Sequence, residues 1–359
     1  MSKIKPIRAE TKIRPVIMAG GLGSRLWPMS RESCPKQFIK IFNNKSLMQL
    51  TIERNQIFGK PLIIITKEYH ELAAKQAKEL KIEVDFIIEP IGRNTAPCAI
   101  SASLACDKDE VIVLLPSDHH IENTESYIQS VYHAVAAATF DNIVTFGIAP
   151  SNLHTGYGYI KASSQNIDGA FKVAEFIEKP SLKEAYQYIT DKDYYWNSGI
   201  FIFKPSTMLT LASSLSPKMH NNVCRAFKNA LKEEGSVFLH QSYDKISPDS
   251  IDFSFMEHAQ NLVMIKADFD WHDLGGWKSL WDIYEKDAVG NTTLGDVELY
   301  DTSNSYIHSD GRLTAVVGVD DIIVINTADA SLIVHKSRAE DVKHLVQNLV
   351  AKGRVEVRQ

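Results

Sequence analysis

Val16-Ile17-Met18-Ala19 is a short apolar run that breaks into Gly20-Gly21-Leu22-Gly23-Ser24-Arg25, and no acid follows it until Glu32. Glycines let a backbone approach a ligand and turn its N–H groups toward it, which is how loops cradle phosphate. Arg25 and Arg31 add forked donors matched to phosphate oxygens, and Lys36, in Pro35-Lys36-Gln37-Phe38, supplies a further cation. Two familiar phosphate loops are excluded by spacing. The pattern G-x-G-x-x-G begins at Gly21 and Gly23 but meets Leu26 where its third glycine belongs. The P-loop needs Gly-Lys where Gly20 is followed by Arg25 and Leu26. The bland alternative is a strand-to-helix turn with surface arginines.

Carboxylates fall where such a loop would use them. Leu114-Leu115-Pro116-Ser117-Asp118 ends an apolar strand in an acid, where a magnesium ion carried by a triphosphate would find it. The competing role for Asp118 is a loop cap. His119 and His120 have no partner at metal-site spacing. Asp270 and Asp273 lie together in Asp270-Trp271-His272-Asp273-Leu274-Gly275-Gly276-Trp277, and Asp270 could equally serve a turn. Glu89-Pro90-Ile91-Gly92-Arg93-Asn94-Thr95-Ala96-Pro97 follows a strand and opens a helix. Asn94 or Thr95 is suited to capping the helix. Glu178-Lys179-Pro180 sets an acid beside a base at a strand end, where only a bend lets both reach one ligand.

Positioning these residues falls to an alternation of short apolar runs with helices. Strands are expected at Leu62–Thr66, Val84–Ile88, Glu110–Leu115 and Asn142–Ile148. Helices are expected at Lys45–Phe58, Glu68–Leu80, Asn94–Cys106 and Glu125–Ala138. This is an α/β pattern, an open and mostly parallel Rossmann-like sheet whose ligands sit beyond the carboxyl ends of the strands. From Thr155 further strands, Tyr157–Ala162, Lys172–Glu178 and Ser198–Phe203, are expected to add a lobe to the same sheet. Ser181 and Glu184 form a capping box between them. Pro205–Leu231 reads as helix, stopping at Gly235. After about Gly290 come short strands at 297–299, 305–307, 314–317, 322–325 and 332–334, the cue for a small β unit. A last helix is capped by Ser337 and Glu340. The expected domains are residues 1–290 and 291–359, with Met1–Arg14 a loose tail.

Composition narrows the class. The 359 residues are 44% hydrophobic and 23% charged, as in ordinary globular proteins. The net charge of −5 gives no general attraction to nucleic acid or acidic membranes, so any anion site must be built locally. Four scattered cysteines form no C-x-x-C pair, which fits a reducing cytoplasm. There is no apolar signal core and no run near the ~20 residues of a membrane span.

The ordered motifs G-G-x-G-x-R-L-x-P, P-K-Q-F, E-P-x-x-R-N-T-A-P, E-K-P and W-x-D-x-G-x-W resemble those of the sugar-1-phosphate nucleotidyltransferases, in the mannose-1-phosphate guanylyltransferase branch. Gly276 departs from the G-S-W variant of the last motif. The resemblance implies transfer of GMP from GTP to mannose 1-phosphate with Mg²⁺, and a left-handed β-helix at the C-terminus. It implies nucleotide contacts at Ala19, Gly20, Gly21, Gly23, Ser24 and Arg25, and also at Lys36, Gly92, Arg93, Asn94 and Asp118. Sugar phosphate falls to Gly158, Glu178, Lys179 and Asn197, metal to Asp118 and Asp273, and catalysis to Arg25, Lys36, Asp118, Lys179 and Asp273. The C-terminal β unit would be the surface of a homodimer. Many bacterial relatives continue into a phosphomannose isomerase domain, for which 359 residues leave no room. Other hexose 1-phosphates or nucleotides, or a non-catalytic sensor of nucleotide sugars, remain alternatives on these residues.

Overall fold

A computed structural model describes residues 11–21 and 23–358. They fall into two compact units. The first comprises the chain up to Gly20 with Gln49–Ser117 and Ile121–Trp271. The second comprises Gly21–Met48, Asp118–His120 and the chain from His272 onward.

The first unit is built on an eleven-stranded sheet. Its spatial order is Leu231–Glu233, Ser236–Phe238, Asp85–Glu89, Leu62–Thr66, Lys12–Met18, Glu110–Pro116, Tyr194–Phe203, Ile143–Ile148, Leu262–Lys266, Ala170–Ile177 and Tyr159–Ile167. The strands from Asp85–Glu89 to Glu110–Pro116 pair in parallel, and Tyr194–Phe203 then runs antiparallel between Glu110–Pro116 and Ile143–Ile148. Leu62–Ile65 is buried throughout, as a strand covered on both faces must be. Helix Thr95–Ala105 covers one face, and its Ala96, Ala99 and Ala102 let it pack closely on Val16, Ile64, Ile112 and Leu114. Met18 lies opposite Pro116 in parallel register, so the chain leaves neighbouring strand ends at Gly20 and at Ser117.

The second unit carries a four-stranded sheet and a short antiparallel pair, Lys40–Phe42 with Lys45–Ser46. Thr292–Tyr300, Tyr306–Val317 and Ile322–Asn326 pair in parallel, and Ser331–His335 closes the sheet antiparallel. Its core joins Leu26 and Trp27 of the glycine-rich segment to Leu274, Trp277, Tyr306, Ile323 and Val342.

Several expectations change. Met1–Glu10 lie outside the described residues, but Lys12–Arg14 open the first strand rather than ending a tail, since Lys12 pairs with Glu110. Pro205–Leu231 is two helices, Pro205–Leu215 and Pro217–Lys228, because Pro217 cannot continue the first; a hairpin turning at Gly235 follows. The strands expected at 305–307 and 314–317 are one strand, with a bulge opposite Gly295–Val297. Ser337 and Glu340 do not cap the last helix. They sit in a 3-10 turn, Lys336–Asp341, whose cap is the His335 side chain, and helix Val342–Ala351 starts after Asp341. The Ser181–Glu184 capping box is present on helix Leu182–Thr190.

Candidate active site

In the second unit a cavity of about 340 Å³ is lined by Gly23, Ser24, Arg25, Lys36, Asp118, His119, Asp273, Gly275 and Lys343. Three distant stretches of sequence supply the residues expected to do chemistry, and local bonds explain why they meet. His120 and His272 exchange both backbone hydrogen bonds, 2.9 and 3.0 Å, which fixes the segment carrying Asp118 against the one carrying Asp273. Lys36 then spans the two. Its Nζ donates to Asp118 Oδ2 at 2.9 Å and to the Asp273 carbonyl at 2.6 Å. Burial pushes the Asp118 carboxyl upward, but the charges of Lys36 and His119 and the hydrogen bonds it accepts together leave the group below its usual value.

The glycine-rich segment is shaped by its own bonds. Gly23 sits at φ +61°, and its carbonyl accepts from Leu26 N at 3.0 Å and Ser30 Oγ at 2.7 Å. A Cβ on Gly23 would overlap Lys36 Cβ, so only glycine lets the loop close over the lysine. Space above Gly20 and Gly21 is open to 4 Å. Ala19 and Gly20 remain with the first unit, where Ala19 N donates to the Ile64 carbonyl at 2.9 Å. Trp277 Nε1 donates to the Trp27 carbonyl at 2.9 Å, and Trp27 Nε1 to that of Glu356 at 3.0 Å. The two basic residues of the loop part company. Arg25 lines the cavity and pairs with Glu340 at 2.7 Å. Arg31 forks onto both oxygens of Asp329, at 2.5 and 2.6 Å, so it is a structural tie rather than the phosphate ligand its sequence position suggests. A Cβ at Gly276 would meet nothing closer than 3.7 Å, so the backbone there does not itself demand glycine.

The first unit holds a second cluster. Strand Ala170–Ile177 ends just before Glu178, and Lys179 lies at φ +48°. The bend therefore falls at Lys179 itself, which turns back so that its Nζ meets Glu178 Oε1. Asn197, buried on its strand, accepts at Oδ1 from Thr145 Oγ1 at 3.0 Å and Gly199 N at 3.2 Å. A Cβ on Gly158 would come within 2.6 Å of Glu178 Oε2 and 3.4 Å of Asn197 Cβ, so Gly158, Glu178 and Asn197 converge as expected. Asp252 joins them unannounced. Asn197 Nδ2 donates to Asp252 Oδ1 at 3.0 Å, and burial together with the charge of Glu178 pushes the Asp252 carboxyl up to about 7. Nothing in Ser250-Ile251-Asp252-Phe253 marks it; a lone acid in a helix's first turn is commonplace.

The Glu89–Pro97 segment is held from below. Glu89 is buried, accepts from Tyr243 Oη and, at 3.4 Å, from Cys98 Sγ, and burial raises its carboxyl to about 7. Asn94 Oδ1 accepts from Thr95 N at 2.9 Å, so Asn94 is the helix cap. Arg93 donates to the Asp244 carbonyl, while Gly92 is exposed. Thr95 Oγ1 accepts from Ile251 N at 2.9 Å, which ties this loop to the turn bearing Asp252.

Residues 14–289 match the family described as "Nucleotidyl transferase", and residues 295–349 match the "MannoseP isomerase/GMP-like beta-helix domain". A mannose-1-phosphate guanylyltransferase of Salmonella muenchen is 38% identical over 96% of this chain and 75% of its own. The alginate biosynthesis protein AlgA of Pseudomonas aeruginosa is 38% identical over 95% and 73%. A crystal structure from Thermus thermophilus, described as a mannose-1-phosphate geranyltransferase, superposes with a TM-score of 0.85 at 30% identity, covering 94% of this chain and 99% of that one.

Proposed function

Given that the chain belongs to the nucleotidyl transferase family, in its mannose-1-phosphate guanylyltransferase branch, we propose how its residues transfer GMP from GTP to α-D-mannose 1-phosphate. The products are GDP-mannose and pyrophosphate. An oxygen of the sugar phosphate attacks the α-phosphorus in line, and the bond from that phosphorus to the oxygen bridging to the β-phosphate breaks. The attacking phosphate is already anionic at neutral pH, so no general base is required. Catalysis is positioning and charge stabilisation.

The observation that carries this reading is the cavity in which Arg25, Lys36, Asp118 and Asp273 converge. Arg25 faces the β- and γ-phosphates, which replace Glu340 as its anion. Lys36 spends two of its three donors on Asp118 and the Asp273 carbonyl and keeps one for the α-phosphate. Enzymes of this family generally use a divalent metal, and the donor set here suits Mg²⁺. Magnesium takes one or two carboxylates and completes its shell with water and phosphate, and the cavity offers Asp118 and Asp273. When bound, the ion would neutralise charge on the phosphates as pyrophosphate departs.

Glu178, Asn197 and Asp252 bind sugar hydroxyls, Gly158 allows the ring to approach, and Lys179 orients the sugar phosphate. The loop at Gly92, Arg93 and Asn94 reads the base, with Ala19, Gly20, Gly21, Gly23 and Ser24 completing the nucleotide contacts. The division into residues 1–290 and 291–359 is supported by the two family matches. A cytoplasmic homodimer is supported by free cysteines and by the exposed Tyr300, Val317 and Ile333 of the C-terminal strands. No helix among the described residues is long and apolar enough to cross a membrane.

The test is pyrophosphate release with Mg²⁺ across GTP, UTP, dTTP and ATP against mannose, glucose and fucose 1-phosphates. Dominant activity with GTP and mannose 1-phosphate, abolished by EDTA, is expected. A different preferred pair would reassign the base and sugar contacts, and silence across the matrix would contradict the reading.

A further inference from the structure

The phosphate cavity has one lining residue that no motif announces. Lys343 is the second residue of helix Val342–Ala351, far along the chain from the glycine-rich loop, and its side chain reaches the same cavity as Arg25, Lys36, Asp118 and Asp273. Charge accounting within the second unit sets it apart. The ammonium of Lys36 is matched by Asp118, and the guanidinium of Arg25 by Glu340. Lys343 lines the cavity with no ion pair among the described residues. An acid–base pair such as Lys36–Asp118 is nearly neutral toward an incoming anion and the Asp273 carboxyl opposes it, so a polyphosphate depends on Lys343 and on Arg25 once it exchanges Glu340.

Glu340, three residues before Lys343, completes the picture. Its Oε2 lies 2.7 Å from Arg25 Nε, and its Oε1 is 3.7 Å from where a Cβ on Gly276 would stand. The carboxylate thus sits over the Asp273–Gly276 turn with the loop arginine in its grip. Both partners are largely exposed, 42% and 70%, so the pair is weak and open to exchange for a stronger anion.

We propose that Lys343 is a further pyrophosphate-binding residue of the transfer reaction, delivered by the C-terminal helix, and that Glu340 is the stand-in anion the β- and γ-phosphates displace from Arg25. This rests on the reading that Arg25 faces those phosphates. The C-terminal segment is then part of the nucleotide site: it lends the site a cation and holds Arg25 extended between turnovers.

Calorimetric binding of inorganic pyrophosphate with Mg²⁺, and separately of GDP-mannose, tests this without relying on turnover. GDP-mannose lacks the leaving pyrophosphate and serves as the internal control. Lys343→Met is expected to weaken pyrophosphate about tenfold, the loss of one hydrogen bond to a charged group, while GDP-mannose stays within about twofold. Lys343→Arg should restore most of the binding. Glu340→Gln should tighten pyrophosphate about threefold by freeing Arg25. Arg25→Ala separates the two levels of the reading. If Arg25→Ala weakens pyrophosphate and Lys343→Met does not, or if Lys343→Met weakens both ligands equally, the proposal for Lys343 is overturned and the cavity assignment stands. If Arg25→Ala also leaves pyrophosphate binding unchanged, the cavity assignment itself falls. Weaker pyrophosphate binding in Glu340→Gln would contradict the stand-in role.

Discussion

At the scale of single residues, the site depends on how closely a loop can approach one lysine. Gly23 is tested directly by Gly23→Ala. The new methyl would overlap Lys36 Cβ in a backbone conformation that disfavours any side chain, so the loop must move and Lys36 must shift off Asp118. The expected outcome is a turnover loss of at least about a hundredfold with the circular dichroism spectrum unchanged; a hundredfold corresponds to nearly ~3 kcal/mol of transition-state stabilisation. Wild-type turnover would show that the loop is free to close another way. Arg25, Lys36, Asp118 and Asp273 were each legible from their motifs. Arg31 was misleading, because its partner Asp329 lies 298 residues away and no local pattern announces an ion pair at that separation. Asp252 was illegible for a related reason: its meaning comes from Asn197 and Glu178 beside it, and from nothing in its own segment.

At the scale of elements, two carboxyls raised by desolvation give the first unit a pH signature. Glu89 is raised to about 7 by burial, despite the hydrogen bonds from Tyr243 and Cys98. In the unfolded chain it titrates near the ordinary value of about 4.3. Its folded form therefore favours the proton, and its contribution is fully present below pH ~4 and lost as pH rises through about 7. Glu89→Gln keeps both hydrogen bonds and removes the charge. It should leave the denaturation free energy near wild type at about pH 4 and raise it by up to roughly 3 kcal/mol at about pH 8. Equal effects at the two pH values would mean that Glu89 is not held protonated. Asp252 gives the matching functional prediction. Its ionisation near pH 7 places a second negative charge beside Glu178, so KM for mannose 1-phosphate should rise with pH through that region. In Asp252→Asn the KM should follow only the titration of the substrate; a profile identical to wild type would remove Asp252 from the sugar site. Most of the elements were visible as alternating apolar runs and helices, since burial in a parallel sheet writes itself into sequence. What escaped were breaks and joins: Pro217 cutting one expected helix in two, and the bulge that makes one strand of two.

At the scale of the whole molecule, the chain visits the second unit three times, and the glycine-rich segment shares a core with the C-terminal strands. Trp277 is the centre of that arrangement: fully buried, against Tyr306, with its Nε1 on the Trp27 carbonyl. Trp277→Ala should cost about 3–5 kcal/mol of stability and, by releasing Trp27, raise KM for GTP more than KM for mannose 1-phosphate. A fall in melting temperature with both KM values unchanged would separate the core from the site. The motif around Trp277 was legible, but its structural half was not. Sequence presents Trp271, Asp273, Gly275 and Trp277 as one signature, whereas in the folded chain Asp273 lines the cavity and Trp277 anchors the loop. Tertiary packing assigns those separate tasks, and packing over hundreds of residues leaves no periodic trace.

The central claim is that the cavity holding Asp118 and Asp273 carries out transfer of GMP to mannose 1-phosphate. The most direct measurement is the rate of GDP-mannose formation from GTP, mannose 1-phosphate and Mg²⁺ in Asp118→Asn and Asp273→Asn, beside wild type, with folding checked by circular dichroism. Loss of turnover by orders of magnitude in both natively folded variants is the predicted result. Near-normal turnover in either would contradict the account.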